Sequence, residues 1–113
     1  MGNYILHGLK PYKIITLHGG PGALGELNNL SKVLSKEHGV IEHLQTRDTI
    51  NLLIDDIKNI INKKATVPVT IIGYSWGAWL AILFTAKYQE LVEKIILVSS
   101  GPFEEEYSRN IMG

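Results

Sequence analysis

Two short strings carry groups that could do acyl chemistry. Gly73-Tyr74-Ser75-Trp76-Gly77 fits G-x-S-x-G and lies between a β-branched run and a helical pattern. A strand that turns at once into a helix brings its flanking residues into contact, and glycine at 73 and 77 avoids the clash. The serine at the apex is expected in a strained backbone conformation with its hydroxyl outward. It also sits at a helix N-terminus, where free N–H groups and the helix dipole favour developing negative charge. The N–H of Trp76 would be one oxyanion donor. The second string, His18-Gly19-Gly20-Pro21-Gly22, follows another β-branched run. Its small and rigid residues let the backbone approach a neighbouring loop and aim N–H groups inward.

The elements that must hold these strings follow from periodicity. Lys13 to His18, Val40 to Leu44, Val69 to Ile72 and Lys94 to Val98 read as four strands. Leu24, Leu27, Leu30, Val33 and Leu34 fall at helical spacing, with Gly39 as a stop. Asp48 is placed to cap a second helix, whose Ile50, Leu53, Ile54, Ile57, Ile60 and Ile61 form one apolar stripe. A third helix from Trp76 to about Gln89 is apolar nearly all round, as a buried helix would be, which puts Trp79 in the core. One helix between each pair of strands is the rhythm of a parallel sheet covered on both faces: an α/β three-layer sandwich of about four strands. Ile95 to Val98 shows no alternation, as in a strand covered on both sides. Ligands in such sheets bind beyond the carboxyl ends of the strands, which is where both strings fall.

Composition bounds the rest. The chain has 113 residues, one domain's worth, with 11 basic and 11 acidic residues and no net charge. That balance argues against a nucleic-acid partner. The absence of cysteine removes disulfides, thiolate metal sites and cysteine nucleophiles. No metal constellation appears, and the chemistry needs no cofactor. The longest apolar run, Trp76 to Ala86, is interrupted by Gly77 and Thr85 and is too short to span a bilayer. The N-terminus has no secretory pattern, so a cytoplasmic protein is expected.

Together the two strings resemble the α/β-hydrolases, most closely the prolyl-iminopeptidase-like branch, which carries HGGPG in its oxyanion loop. The resemblance covers roughly residues 13 to 103. It implies that Ser75 is the nucleophile toward a small ester or amide substrate. It also implies that a backbone N–H in the Gly19–Gly20 stretch is the second oxyanion donor. His18, Pro21, Gly22, Gly73 and Gly77 would be structural at the site. In the family a glycine-containing D-x-R-G-x-G-x-S-like stretch follows the next strand, whereas Leu44-Gln45-Thr46-Arg47-Asp48-Thr49 stands here without glycine. The broader expectation is therefore an esterase or hydrolase. The family's acid and histidine follow the nucleophile. Here His7, His18, His38 and His43 all precede Ser75. Glu104 stands where some family members carry the acid, and Glu104-Glu105-Glu106 also reads as a solvated face. The chain is expected to be the N-terminal half of such a fold, with residues 102–113 the start of a cap.

Two other functions are open on the residues. Without a base the chain could be an inactive fragment or a degenerate hydrolase serving as a binding module. Gly20-Pro21-Gly22-Ala23-Leu24-Gly25 is also literally G-x-G-x-x-G, with Glu42 near the place of a ribose-binding acid. Against a dinucleotide site, Pro21 removes an N–H where pyrophosphate needs donors, and Glu42 lies inside its strand. There is no Walker pattern, since Glu26 follows Gly25. Tyr74, Trp76, Trp79 and Phe103 are the aromatic candidates for a pocket wall. If Ile95 to Val98 forms a sheet edge, a homodimer or aggregate is expected through it.

Overall fold

A computed structural model of the chain describes residues 3–19 and 27–98. The elements run β1 (Tyr4–His7), β2 (Tyr12–Leu17), α1 (Asn28–Leu34), β3 (Gly39–His43), α2 (Ile50–Lys64), β4 (Val69–Tyr74), α3 (Trp76–Lys87), a 3-10 turn (Gln89–Leu91) and β5 (Val92–Val98). The five strands form one sheet in the order β1-β3-β2-β4-β5. β1 is antiparallel to β3, and every other pairing is parallel. The chain leaves β2 for β3 on one side and then crosses to β4 on the other. The order therefore reverses at β2, and the loops after β2 and β4 flank the reversal, where a ligand crevice forms in open α/β sheets.

The two faces of the sheet differ in chemistry. Ile15, Leu17, Ile41 and Ile71 join Leu53, Ile54, Ile57, Ile61, Leu80 and Phe84 in one buried apolar cluster. The alternate strand residues face α1 and are partly polar, because side chains one apart in a strand point to opposite faces. There Thr16 Oγ1 meets Ser31 Oγ of α1 at 3.0 Å, and Asn28 of α1 donates to Glu42 Oε1 at 3.0 Å.

The four strands read from periodicity are all present, a fifth joins them, and four further expectations need correction. The sheet has five described strands, because Tyr4–His7 adds an antiparallel edge too short to announce itself. Gly39 does not end a helix: α1 ends at Leu34 and Gly39 opens β3. A Cβ on Gly39 would lie 2.4 Å from Leu9 O and 2.5 Å from Pro11 O, so the β1–β2 connection crosses directly over it. In α1, Val33 is exposed while Ser31 is buried, since Ser31 has Thr16 to bond. Finally, α3 is not buried all round. Gly77, Leu80, Ala81 and Phe84 face inward, whereas Trp79, Ile82 and Leu83 are exposed, Trp79 by 63%. β5 is an edge strand in the described sheet, and Ile96, Leu97 and Val98 are exposed instead of covered.

The cap of α2 is Thr49, not Asp48. Thr49 takes an extended conformation and its hydroxyl accepts from Leu52 N–H at 3.2 Å. Thr49→Ala should lower stability by about 1 kcal/mol in a urea melt, the usual cost of losing such a cap. An Asp48→Ala variant should be nearly silent by comparison.

Asp56 of α2 ties three elements together. Its Oδ2 meets His43 Nε2 of β3 at 3.0 Å, and its Oδ1 accepts from Asn3 Nδ2, just before β1, at 2.7 Å. The hydrogen bond to His43 is the largest influence on its carboxyl, which is held below the usual carboxylate range against the opposing effect of burial. A carboxylate with a depressed folded-state pKa adds stability above its unfolded pKa and loses it as pH falls through the folded one. Melting temperature should therefore drop on acidification below about pH 4. In Asp56→Asn that drop should be shallower, and an identical acid limb in both proteins would contradict this assignment.

Candidate active site

The turn between β4 and α3 has the geometry that the glycine spacing demands. A Cβ on Gly73 would sit 2.4 Å from Gly77 O. Ser75 takes φ 56° and ψ −114°, the one non-glycine residue with positive φ among the described residues. That region is costly for an L side chain. The surroundings hold it there: Ser75 N–H donates to Val98 O of β5 at 2.9 Å, and Ser75 O accepts from Ala78 N–H at 2.9 Å. The Ser75 side chain makes no capping bond to α3, and the residue is exposed. Trp76 is the first residue of α3, where N–H groups lack partners within the helix.

The elbow abuts the loop after β2. A Cβ on Gly77 would fall 2.1 Å from Leu17 O and 2.6 Å from His18 O, so the first turn of α3 rests on the end of β2. His18 is fully buried there. Its Nε2 accepts from Gln45 N–H at 3.0 Å, which requires that nitrogen to be unprotonated. Its Nδ1 therefore carries the hydrogen and donates to Gly19 O at 2.7 Å. Gly20, Pro21 and Gly22 lie outside the described residues, as do residues 99–113 with Phe103, Glu104 and the expected cap start.

No histidine is offered to Ser75 in this arrangement. His18 has both ring nitrogens engaged within its own loop and Gln45. His43 is buried against Asp56, and His7 against Glu42 at 2.8 Å. His38 is exposed beside Gly39, at the opposite end of the parallel strands. Glu42, the acid of the dinucleotide alternative, is fully buried on His7 and Asn28 and is not presented beyond a strand end. No group of three or more metal-ligating side chains occurs among the described residues. A cleft of about 330 Å³ opens between Gly8–Pro11 and Ser35–Gly39, lined by Lys10, Lys13, Lys36 and His38. It touches none of the site residues, so the site rests on the elbow itself.

Gln45 is the residue that motif reading missed. Besides its N–H bond to His18, its Nε2 donates to His18 O at 2.6 Å and its Oε1 accepts from Trp76 Nε1 at 2.9 Å. A glutamine in a loop has no periodicity and belongs to no motif. The only signal was its place directly after a strand, at the carboxyl end where the other loops converge.

Comparison with known proteins bears on the fold. A family model described as the alpha/beta hydrolase fold matches residues 44–111, more than half of the chain. Epoxide hydrolase 3 of Mus musculus is 36% identical over 67 residues, which cover 58% of this chain and 18% of that protein. Ethanol acetyltransferase 1 of Cyberlindnera jadinii is 28% identical over 72 residues, covering 64% of this chain and 21% of that protein. The chain thus spans about a fifth of the length of these two relatives. Among solved structures, Est816, described as an N-acyl homoserine lactone degrading enzyme, superposes with a TM-score of 0.74 at 17% identity. That match covers 85% of this chain and 41% of that one. No helix among the described residues is long and apolar enough to cross a membrane.

Proposed function

The chain belongs to the alpha/beta hydrolase fold family, and from that premise we propose that it carries the nucleophile half of a serine hydrolase acting on an ester or amide. The observation that supports this most is the elbow. Ser75 is held at positive φ, with its side chain uncommitted, over a helix start packed on the His18 loop. In the mechanism, Ser75 Oγ attacks the substrate carbonyl carbon, and the carbonyl oxygen becomes an oxyanion. The N–H groups of Trp76 and of the Gly19–Gly20 stretch hold that oxyanion. Collapse expels the alcohol or amine, and water then cleaves the acyl-serine ester.

Chemistry favours an acyl substrate over an epoxide. A serine oxygen that opened an epoxide would be left as an ether, which water does not readily cleave, whereas an acyl-serine turns over. The HGGPG string makes an N-terminal prolyl amide one candidate, and the glycine-free stretch Leu44–Thr49 favours a simpler ester. Each of the four histidines is committed elsewhere or lies at the far end. In this reading none of the four histidines is the proton acceptor for Ser75.

The missing base suggests the test. With p-nitrophenyl acetate, the chain alone should show little release. Imidazole added as a surrogate base should raise release at least tenfold above the rate of imidazole with the Ser75→Ala variant. General bases contribute about 10²–10⁴-fold when positioned, so a diffusible one should recover part of that. Release that does not depend on Ser75, with or without imidazole, would refute acyl transfer and leave the binding-module reading. The exposed β5 edge adds an expectation of self-association, read as a mass above the monomer in light scattering.

A further inference from the structure

We infer that Gln45 is a positioning residue that locks the His18 loop to the nucleophile elbow, and that the direction of its amide is what does so. Gln45 follows β3, His18 follows β2 and Trp76 follows β4. Since the sheet order is β3-β2-β4, one side chain reaches across the carboxyl ends of three adjacent strands. Gln45 is itself buried.

Partner chemistry settles every proton in this network. The Trp76 indole can only donate, so the Gln45 atom 2.9 Å from it is the carbonyl oxygen. The His18 carbonyl can only accept, so the Gln45 atom 2.6 Å from it is the NH₂ group. The Gln45 backbone N–H can only donate, which makes His18 Nε2 an acceptor and Nδ1 the donor to Gly19 O. One residue thus sets the His18 tautomer, the placement of its carbonyl and the indole of Trp76. Holding the Gly19 carbonyl is in turn how the chain can orient the peptide that follows it. What is being positioned, the two oxyanion donors, rests on the serine-hydrolase reading; the coupling itself does not.

An amide is required because it offers a donor and an acceptor at once. Leucine keeps much of the volume and offers neither. A glutamate carboxylate keeps the acceptor for Trp76 but turns an oxygen toward His18 O. Protonated, it regains an O–H donor there. At pH 7.5 Gln45→Glu should therefore keep the Trp76 bond and lose the one to the His18 carbonyl, whereas Gln45→Leu loses both. A side chain that merely filled space would not separate the two variants in this way.

The test uses ¹⁵N NMR on the 113-residue chain and its Gln45→Leu and Gln45→Glu variants. In the parent, His18 should show a single Nδ1–H tautomer and the Trp76 indole N–H should exchange slowly. Gln45→Leu keeps the backbone N–H, so His18 should keep its Nδ1–H tautomer, while the indole N–H, now without its acceptor, should exchange at least tenfold faster. Gln45→Glu keeps the acceptor, so its indole N–H should exchange slowly, as in the parent. Imidazole-dependent release at Ser75 should fall at least tenfold in Gln45→Leu. A parent-like indole signal in Gln45→Leu, or fast indole exchange in Gln45→Glu, would overturn the inference. If the parent shows no Ser75-dependent release, the hydrolase reading fails while the indole exchange still decides the coupling.

Discussion

A Gly77→Ala chain should lose at least about 4 kcal/mol of stability, or fail to fold. Helix propensity alone gives the opposite sign. Alanine in place of glycine in an exposed helix interior gains about 1 kcal/mol. The contact geometry overrides it. The added Cβ would lie 2.1 Å from Leu17 O, 2.6 Å from His18 O and 2.7 Å from Leu17 C, all backbone atoms at the end of β2. β2 pairs on both sides and cannot retreat without breaking its parallel ladders to β3 and β4. α3 cannot tilt away either, because Leu80, Ala81 and Phe84 are fully buried beneath it. Typical domains hold only about 5–15 kcal/mol in reserve, so a loss of this size is decisive. Urea melts of the parent and the variant make the comparison. A variant with an equal or higher midpoint would mean that α3 does not rest on β2 as described.

The second large effect is at Ser75, where reactivity and stability should move in opposite directions. Both Ser75→Ala and Ser75→Gly should abolish imidazole-dependent ester release, since neither retains the hydroxyl. Their stabilities should differ. At φ 56° and ψ −114° an L side chain costs about 1–3 kcal/mol, and alanine keeps that cost. Glycine removes it and gives back about 0.4–1 kcal/mol through the freer unfolded chain. Ser75→Gly should therefore be more stable than the parent by about 1 kcal/mol, and Ser75→Ala close to neutral. A destabilised Ser75→Gly would show that the backbone there is not strained. A stabilised one would show that the exposed serine is retained against the interest of the fold, as expected of a reactive position.

Much of the sheet was legible because its parallel strands are written as apolar runs. Ile14 to Leu17, Val69 to Ile72 and Ile95 to Val98 each fall within a strand. β1 was not legible, since Tyr4-Ile5-Leu6-His7 is four residues long and holds its place through His7 with Glu42 and Asn3 with Asp56, pairings 35 and 53 residues apart. The helix from Trp76 was misread for a related reason. Apolar residues all round suggest burial all round, yet Trp79, Ile82 and Leu83 face outward among the described residues. Periodicity reports which residues are apolar, and only the packing partners decide which of them are covered. Thr49 and Asp48 illustrate the same limit at one residue's scale. Both are good caps, and the backbone turn chose Thr49.

The reactive site divides along the same line. Local residue patterns were enough to single out the glycines at 73 and 77, the serine between them and the histidine–glycine loop. These depend on steric rules that act over a few residues, such as positive φ and the room that a missing Cβ leaves. Tertiary structure alone decided that the two loops touch, because their neighbourhood comes from the strand order β3-β2-β4. It also decided that Gln45 joins them and that the four histidines are committed elsewhere or distant. Hydrogen-bond partners many positions apart are chosen by where a folded sheet brings its strand ends, and no local pattern of residue types records that choice.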